Sequence, residues 1–297
     1  MIKLSLKTFL RKYPNNDACL DEIFNKRYPE GVDCIKCKKV TKYYKIANRT
    51  AYSCTKCRTQ IFPLAGTIFE KTTVDLRLWF YAMFLMIKTR SGISAKQLER
   101  ELGVCYKTAH RMFKQIRILM DETDGQPLKG IVEVDETFIG GKGENRKYIW
   151  NGNEKEKQII MGMVERNGRA YLKHIPSTGK WALLKQIQEH VDKTARVITD
   201  QFGGYVQLAK YGYEHDSVNH KETYVVGDIY TQNIEGIWSI LKRGIFGVYR
   251  HVSPVYLQQY ANEYSWRYNH RSKGDGMFDE LLNQATKILV LKASQLA

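Results

Sequence analysis

A mixed α/β domain, with a five-stranded sheet and flanking helices, is the fold class that this 297-residue sequence predicts, preceded by a small four-cysteine module and a helical region. Three observations predict it. Cysteines fall in two C-x-x-C pairs, Cys34/Cys37 and Cys54/Cys57, with sixteen residues between the pairs. Residues 72–120 carry apolar positions at helical spacing, interrupted by glycine. Beyond the turn-rich Asp124-Gly125-Gln126-Pro127 the pattern changes to short runs of β-branched residues bounded by Gly and Asn.

The first of these runs, Gly130-Ile-Val-Glu-Val-Asp135-Glu-Thr-Phe-Ile-Gly-Gly-Lys142, reads as a strand ended by the glycine pair 140–141. Asp135 lies in its apolar middle. A desolvated carboxylate needs a partner, either a salt bridge or a metal ion. Strand alternation points Glu136 away from Asp135 and leaves it a surface acid, whereas Glu133 shares the face of Asp135 and reads as a salt-bridge partner, with tuning of Asp135 as its alternative role.

Lys and Arg total 47 against 31 Asp and Glu, a formal net charge of +16. Such a field favours a polyanion, nucleic acid before membrane. The most apolar window, Leu78–Ile87, is about half the length that spans a bilayer and reads as a buried helix. Met1–Lys7 lacks the long apolar stretch of a signal peptide. With four of six cysteines in C-x-x-C pairs, metal in a reducing compartment explains them better than disulfides, so a soluble, cytoplasmic protein is expected.

Taken in order, residues 1–30 read as two helices, the second capped by Asn16 or Asp17, with Cys19 among its packed positions. The two knuckles then match zinc-ribbon spacing, with Tyr43–Ile46 and Arg49–Ser53 as short strands between them. Four thiolates close a tetrahedral shell with no open position, so the zinc is structural; iron is the alternative occupant. Residues 1–60 hold fourteen Lys and Arg against five Asp and Glu, a net of +9 interleaved with Tyr43, Tyr44 and Tyr52, which favours contact with nucleic acid.

A long apolar helix covers 72–90. Ile93–Met112 then reads as a helix closing at Leu102, a turn at Gly103, and a second helix reaching about Met120, the helix-turn-helix pattern. Tyr106, Lys107, His110 and Arg111 fall on the exposed side of that second helix, able to reach DNA phosphates or base edges, while Cys105 at its start is expected to pack. A plain helical hairpin is the competing reading.

In the α/β domain, strands are expected at Gln158–Glu165 and Arg169–Ile175 with a hairpin turn at Arg166–Gly168 between them. A helix over Trp181–Val191 and a strand over Thr194–Asp200 follow. Gly203-Gly204 opens a short helix, and Asp216–Asn219 is the fifth strand. Helices follow from Thr231, over Pro254–Asn269 and over Phe278–Leu291, with a polar, mobile loop at 140–157. This is the element order of an RNase H-like domain. In it Asp135 on the first strand, Asp200 at the end of the fourth and Glu235 on a late helix are the acids expected to meet. Lys242 lies two helical turns after Glu235 on nearly the same face. Attack on a phosphodiester needs an activated oxygen nucleophile and charge relief on the leaving oxygen, which two Mg²⁺ ions held by a few carboxylates supply. Trp238 and Trp266 are expected in the core. The seven histidines show no spacing for a second zinc site, and His110, His220 and His251 are expected to be solvated or packed.

The order of zinc ribbon, helix-turn-helix, Val134-Asp-Glu-Thr-Phe-Ile-Gly-Gly-Lys142, Thr199-Asp-Gln-Phe-Gly-Gly-Tyr205 and Asn233-Ile-Glu-Gly-Ile-Trp-Ser-Ile-Leu-Lys-Arg-Gly244 closely resembles a DDE insertion-sequence transposase of the fifteen-ninety-five family of bacterial insertion sequences. The match spans nearly the whole chain. It implies Asp135, Asp200 and Glu235 as the triad binding Mg²⁺ or Mn²⁺, with Lys242 as the basic residue that follows. Some relatives carry asparagine as the third residue, which makes Asn233 the competing position; the seven-residue step to Lys242 favours Glu235. The resemblance further implies double-stranded DNA, both element ends and target, as partner, at least a dimer on that DNA, and association with the bacterial nucleoid. The expected division is N-terminal helices 1–30, zinc ribbon 31–66, helix-turn-helix region 67–125, catalytic domain 126–275 and C-terminal helix 276–297. The competing functions are a transposase-derived DNA-binding protein that no longer cuts and a metal-dependent nuclease.

Overall fold

The structure is a computed structural model that describes residues 4–122, 125–140, 157–218 and 229–287. Two compact units divide the chain, Met1–Leu119 with Lys273–Ala297, and Met120–Ser272. The loop expected at 140–157, Lys142, His220, Asn219 and the end of the helix expected at 278–291 lie wholly or largely outside the described residues.

The first unit opens with α1 (Leu6–Lys12), started by a Ser5/Thr8 capping box, and α2 (Asn16–Arg27). The cap of α2 is Asn15, whose side chain accepts from Ala18 N–H, and not Asn16 or Asp17 as expected, because the extended backbone needed at a cap falls one residue earlier. Two small antiparallel sheets follow. One pairs β1 (Val32–Cys34) with β2 (Lys39–Thr41); the other orders β3 (Tyr43–Lys45), β4 (Tyr52–Cys54) and β5 (Gln60–Ile61). Phe24 of α2 stacks on Tyr52 of β4 with ring centroids 4.0 Å apart, tying helix to sheet.

Next comes α3 (Leu76–Lys88), which buries Trp79, Phe80, Met83 and Met86, then α4 (Ala95–Leu102) and α5 (Tyr106–Ile118). Among the described residues no helix is long and apolar enough to cross a membrane. Gly103 ends α4 in the left-handed region at φ 63°, so the chain reverses into α5 without the clash a side chain would bring. Ala109, Met112, Phe113 and Ile116 of α5 face inward. Cys105 departs from expectation. It occupies the N-cap position of α5 and is exposed, its thiol 3.3 Å from the Thr108 hydroxyl. A cap residue precedes the first helical turn, so the inward-facing stripe of α5 does not include it.

The second unit holds one five-stranded sheet. Strands β6 (Ile131–Ile139), β7 (Gln158–Glu165) and β8 (Ala170–Ile175) form an antiparallel meander. The chain passes through α6 (Lys180–His190) to β9 (Arg196–Asp200), which lies parallel to β6 on its other side, and β10 (Glu214–Val218) adds parallel to β9. The spatial order β10-β9-β6-β7-β8 is the RNase H-like arrangement. Helices α7 (Gln232–Lys242) and α8 (Pro254–Asn269) complete the unit, with a π-helical turn at Arg243–Tyr249 between them.

Because β6 is central, both of its faces are covered. Val132 and Val134 pack with Met161, Met163, Leu183, Ile187 and Tyr205 on the α6 side. On the other side Ile160, Val164 and Leu172 meet Ile234, Ile237, Trp238 and Leu241 of α7 and Leu257 and Tyr264 of α8. Alternation along β6 therefore sends Glu133, Asp135 and Thr137 toward α7 and Glu136 toward α6. Glu136 does face away from Asp135, but it is no surface acid: it is half-buried and accepts a hydrogen bond from the Tyr205 hydroxyl. Tyr205, from the turn that follows β9, covers that face beside Glu136, a contact that a strand read alone does not reveal.

The last described helix, α9 (Met277–Ala285), belongs to the first unit. Its Phe278 is buried against Phe9, Tyr13 and Phe80.

Candidate active site

Two groupings of potential metal ligands arise from the sequence, and the structure treats them differently. In the first unit the four thiols of Cys34, Cys37, Cys54 and Cys57 lie within 4.8 Å of one another, and among the described residues no other His, Cys, Asp or Glu group of three or more does so. Each knuckle turns back on itself through a backbone bond, Lys38 N–H to Cys34 O and Arg58 N–H to Cys54 O. Hydroxyls surround the sulfurs: Thr41 Oγ1 is 3.3 Å from Cys54 Sγ and Thr59 Oγ1 is 3.1 Å from Cys57 Sγ. The Tyr43 and Thr41 hydroxyls draw the Cys34 and Cys54 thiols below their ordinary range, while the neighbouring sulfurs push Cys37 up. Four sulfurs so crowded cannot all ionise without a cation. A tetrahedral zinc with supporting hydroxyl donors is what that donor set fits.

The acids of the second unit are gathered by topology. Strands β6 and β9 pair in parallel with Ile131 opposite Arg196, Val132 opposite Val197 and Glu133 opposite Ile198. The pairing stops there, and Asp135 and Asp200 each lie two residues beyond it, near enough for the Asp200 charge to act on Asp135. This is the place where a sheet changes the direction in which its strands are added, and open α/β sheets bind ligands at such points.

Asp135 is half-buried and its Oδ2 accepts from the Trp238 indole N–H at 2.8 Å. Burial pushes its carboxyl above the ordinary aspartate range; the indole N–H opposes that push, and the charges of Asp200 and Glu235 add to it. Asp135 on β6 thus feels acids from β9 and from α7. The oxygens of the three acids do not close into the 4.8 Å cluster that a single ion would draw together, as the thiols do. Asp200 is itself held by its own loop, accepting from Phe202 N–H at 3.1 Å. Behind Asp135, burial ahead of the nearby Asp135 and Asp200 charges pushes Glu136 up to about 7 against the pull of the Tyr205 hydroxyl.

Glu235 and Lys242 are both exposed on α7. Asn233, the competing third residue, is differently placed. Its side-chain amide donates to Glu133 Oε1 at 2.8 Å, and two residues of helix turn it some 200° from Glu235. Glu133 is a salt-bridge partner as expected, 2.9 Å from Arg166 Nε.

Trp238 and Trp266 are both buried as expected, but the hydrogen bond from Trp238 to Asp135 was not anticipated. Gly162 makes that bond possible. It faces Asp135 across the β6–β7 pair, and a Cβ there would stand 2.4 Å from Ile234 Cδ1 and 2.6 Å from Trp238 Cη2. A glycine in a strand of otherwise apolar residues is the sequence signal for such a close approach.

On α5, Lys107 and Arg111 are exposed and His110 is half-buried. Arg111 lies 5.9 Å from the Trp79 ring centroid, and Tyr106 and His110 are ring neighbours at 5.8 Å.

Two family models match the chain: a transposase zinc-ribbon domain over residues 14–60 and an ISXO2-like transposase domain over residues 127–269. The chain is 28% identical over 262 residues to an uncharacterized protein in the transposable element ISH50 of Halobacterium salinarum, a match covering 81% of this chain and 86% of that protein. Among solved structures it shows a distant likeness to the pre-cleavage Mos1 transpososome, with a TM-score of 0.26 and 11% identity over 71% of this chain and 79% of that one.

Proposed function

Since the chain belongs to the ISXO2-like transposases of the fifteen-ninety-five group, we propose that it binds the terminal inverted repeats of its own element and cuts and joins DNA at a site built from Asp135, Asp200 and Glu235. One observation carries the site assignment. A half-buried aspartate has its charge opposed both by burial and by two carboxylates from separate elements, an arrangement that is repulsive unless cations neutralise it.

Hard oxygen donors of this kind suit Mg²⁺ or Mn²⁺, and two such ions would supply an activated water and charge relief on the leaving oxygen. The residues of the chain do the rest. Asp135, Asp200 and Glu235 would hold those ions. The Trp238 indole fixes one Asp135 oxygen, so that carboxylate does not have to be ordered at the moment of reaction. Lys242 makes no ion pair among the described residues and steadies a DNA phosphate from the same side of α7 as Glu235. Hydrolysis at the element end releases a 3′-hydroxyl, whose oxygen then attacks a phosphodiester of the target, the displaced 3′-oxygen leaving with the proton given up by the nucleophile. With its side chain engaged by Glu133, Asn233 is not the third ligand in this reading.

End recognition falls to the first unit. Its zinc-bound ribbon carries much of the positive charge, and Lys107, His110 and Arg111 of α5 approach the duplex. Bringing two ends together requires at least two copies of the chain.

The test is nicking of a labelled duplex carrying the element end, in Mg²⁺. Asp135→Ala is expected to abolish nicking while end binding stays close to wild type. Full activity in that variant would overturn the triad. End binding by the wild-type protein without any nicking would favour a DNA-binding descendant that no longer cuts.

A further inference from the structure

Glu133 is fully buried, two residues before Asp135 on the same face of β6. A carboxylate in that position needs every lone pair answered. The answers come from three directions. Arg166 donates its Nε to Oε1 at 2.9 Å, the Asn233 side chain donates to Oε1 at 2.8 Å, and the backbone N–H groups of Asn233 and Ile234 donate to Oε2 at 2.9 and 3.2 Å. Those two N–H groups belong to the first turn of α7, whose own N-cap residue, Thr231, makes no side-chain capping bond. The cap of α7 is therefore supplied by the central strand of the sheet, where the positive end of the helix meets a full negative charge. Arg166 extends the clamp: it donates to Tyr230 O at 2.9 Å and lies 3.6 Å over the Tyr230 ring, one residue before the helix-capping position.

The strand and the helix are joined at a second point, the bond from Trp238 to Asp135. From Glu133 to Asp135 the strand advances about 6.6 Å. From Asn233 or Ile234 to Trp238 the helix advances about 6–7.5 Å. The two anchor spacings match, and Glu235 lies between the anchors on the helix. We propose that Glu133, held by Arg166, is a positioning residue: it sets the axial register of α7 against β6, and so the height at which Glu235 stands beside Asp135 and Asp200. The inference rests on reading those three acids as the metal-binding triad.

Removing a supporting partner of this kind typically weakens a metal site by about 10–100-fold. The test uses the full-length, zinc-loaded protein and follows Mn²⁺ binding by electron paramagnetic resonance, together with the Mn²⁺ concentration that half-saturates end nicking. Glu133→Gln removes the charge, and Glu133→Asp keeps it but withdraws it from the helix. Both are expected to weaken Mn²⁺ binding by about tenfold or more at temperatures below their melting points, with end binding unchanged. A folded variant that binds Mn²⁺ like wild type overturns the proposal and leaves Glu133 a purely structural group. Asp135→Asn separates the two levels: if it too binds Mn²⁺ like wild type, the metal site itself has been misread. A measurement on the unaltered protein guards against variants that do not fold. Because coupling is reciprocal, saturating Mn²⁺ should slow hydrogen exchange at the Asn233 and Ile234 amides, and unchanged exchange there counts against the clamp.

Discussion

At Gly162 the sheet gives up a side chain, and an aromatic ring from α7 uses the space to reach Asp135. Gly162→Ala forces Ile234 and Trp238 outward and is expected to destabilise the second unit by about 1–3 kcal/mol, read from the urea midpoint. Trp238→Phe keeps most of the packing and removes the donor, so a similar loss of about 1–3 kcal/mol follows from leaving the Asp135 oxygen unanswered. Mn²⁺ should restore part of the loss in Trp238→Phe by neutralising that oxygen; no metal dependence of the midpoint would argue against this account. At this scale the sequence announced the acids and concealed their partners. Asp135, Asp200 and the four cysteines stand out because a strand or a knuckle frames each within a few residues. The bonds from Asn233 to Glu133, from Trp238 to Asp135 and from Tyr205 to Glu136 join residues 100, 103 and 69 positions apart, distances over which no local pattern speaks.

Elements were more legible, since periodicity and turn chemistry are local. The strand ending at Asp200 and the helix opening at Pro254 lie where their end signals place them, and Gly103 marks the turn between α4 and α5. Ends drifted where the signal was shared or missing: Asn15, and not the neighbouring Asn16 or Asp17, caps α2, and Cys105 precedes its helix. Gly103 also yields a clean test. A Cβ there would meet nothing within 4 Å, so Gly103→Ala bears only the backbone cost of φ 63°, about 1–2 kcal/mol of the first unit's stability. A loss well above that would mean that the turn has a neighbour the structure does not show. The ribbon makes a different prediction. Its sheets have three strands at most, and beyond Cys34 and Cys54 the apolar side chains buried over residues 31–61 are Val32, Ala51 and Tyr52, so stripping zinc should open residues 31–61 to protease while the second unit stays protected. Equal loss of both units would contradict an autonomous metal module.

On the scale of the whole molecule, the second unit carries three histidines that burial holds below their ordinary range: His174, bonded to Gln158; His190, against the Tyr171 ring; and His215, 3.0 Å from the Thr199 hydroxyl. Each is kept neutral by the fold more than by the unfolded chain. Between the lowered value and about 6.5 the unfolded chain binds more protons, so stability rises with pH through that window and is flat above it from this cause. The histidines therefore pull the melting temperature of the second unit down as pH drops from about 7 toward 5, against the opposite pull of the buried Glu136, which folding holds up to about 7, and that downward pull should be weaker in a variant with His190→Phe. An unchanged slope in that variant would remove His190 from the account.

The helix α9 returns from the far end of the chain to bury Phe278 among Phe9, Tyr13 and Phe80, with Lys88 and the Leu4 amide both bonded to Asp275 just before it. In the order of synthesis, then, the part made first is the last to close. A ribosome that has finished the second unit still holds an open aromatic surface near its beginning, and only the final segment covers it. A chain stopped after Ser272 should keep its later unit protease-resistant while its earlier one melts, so translation cut short spoils the opening of the protein before it spoils the middle.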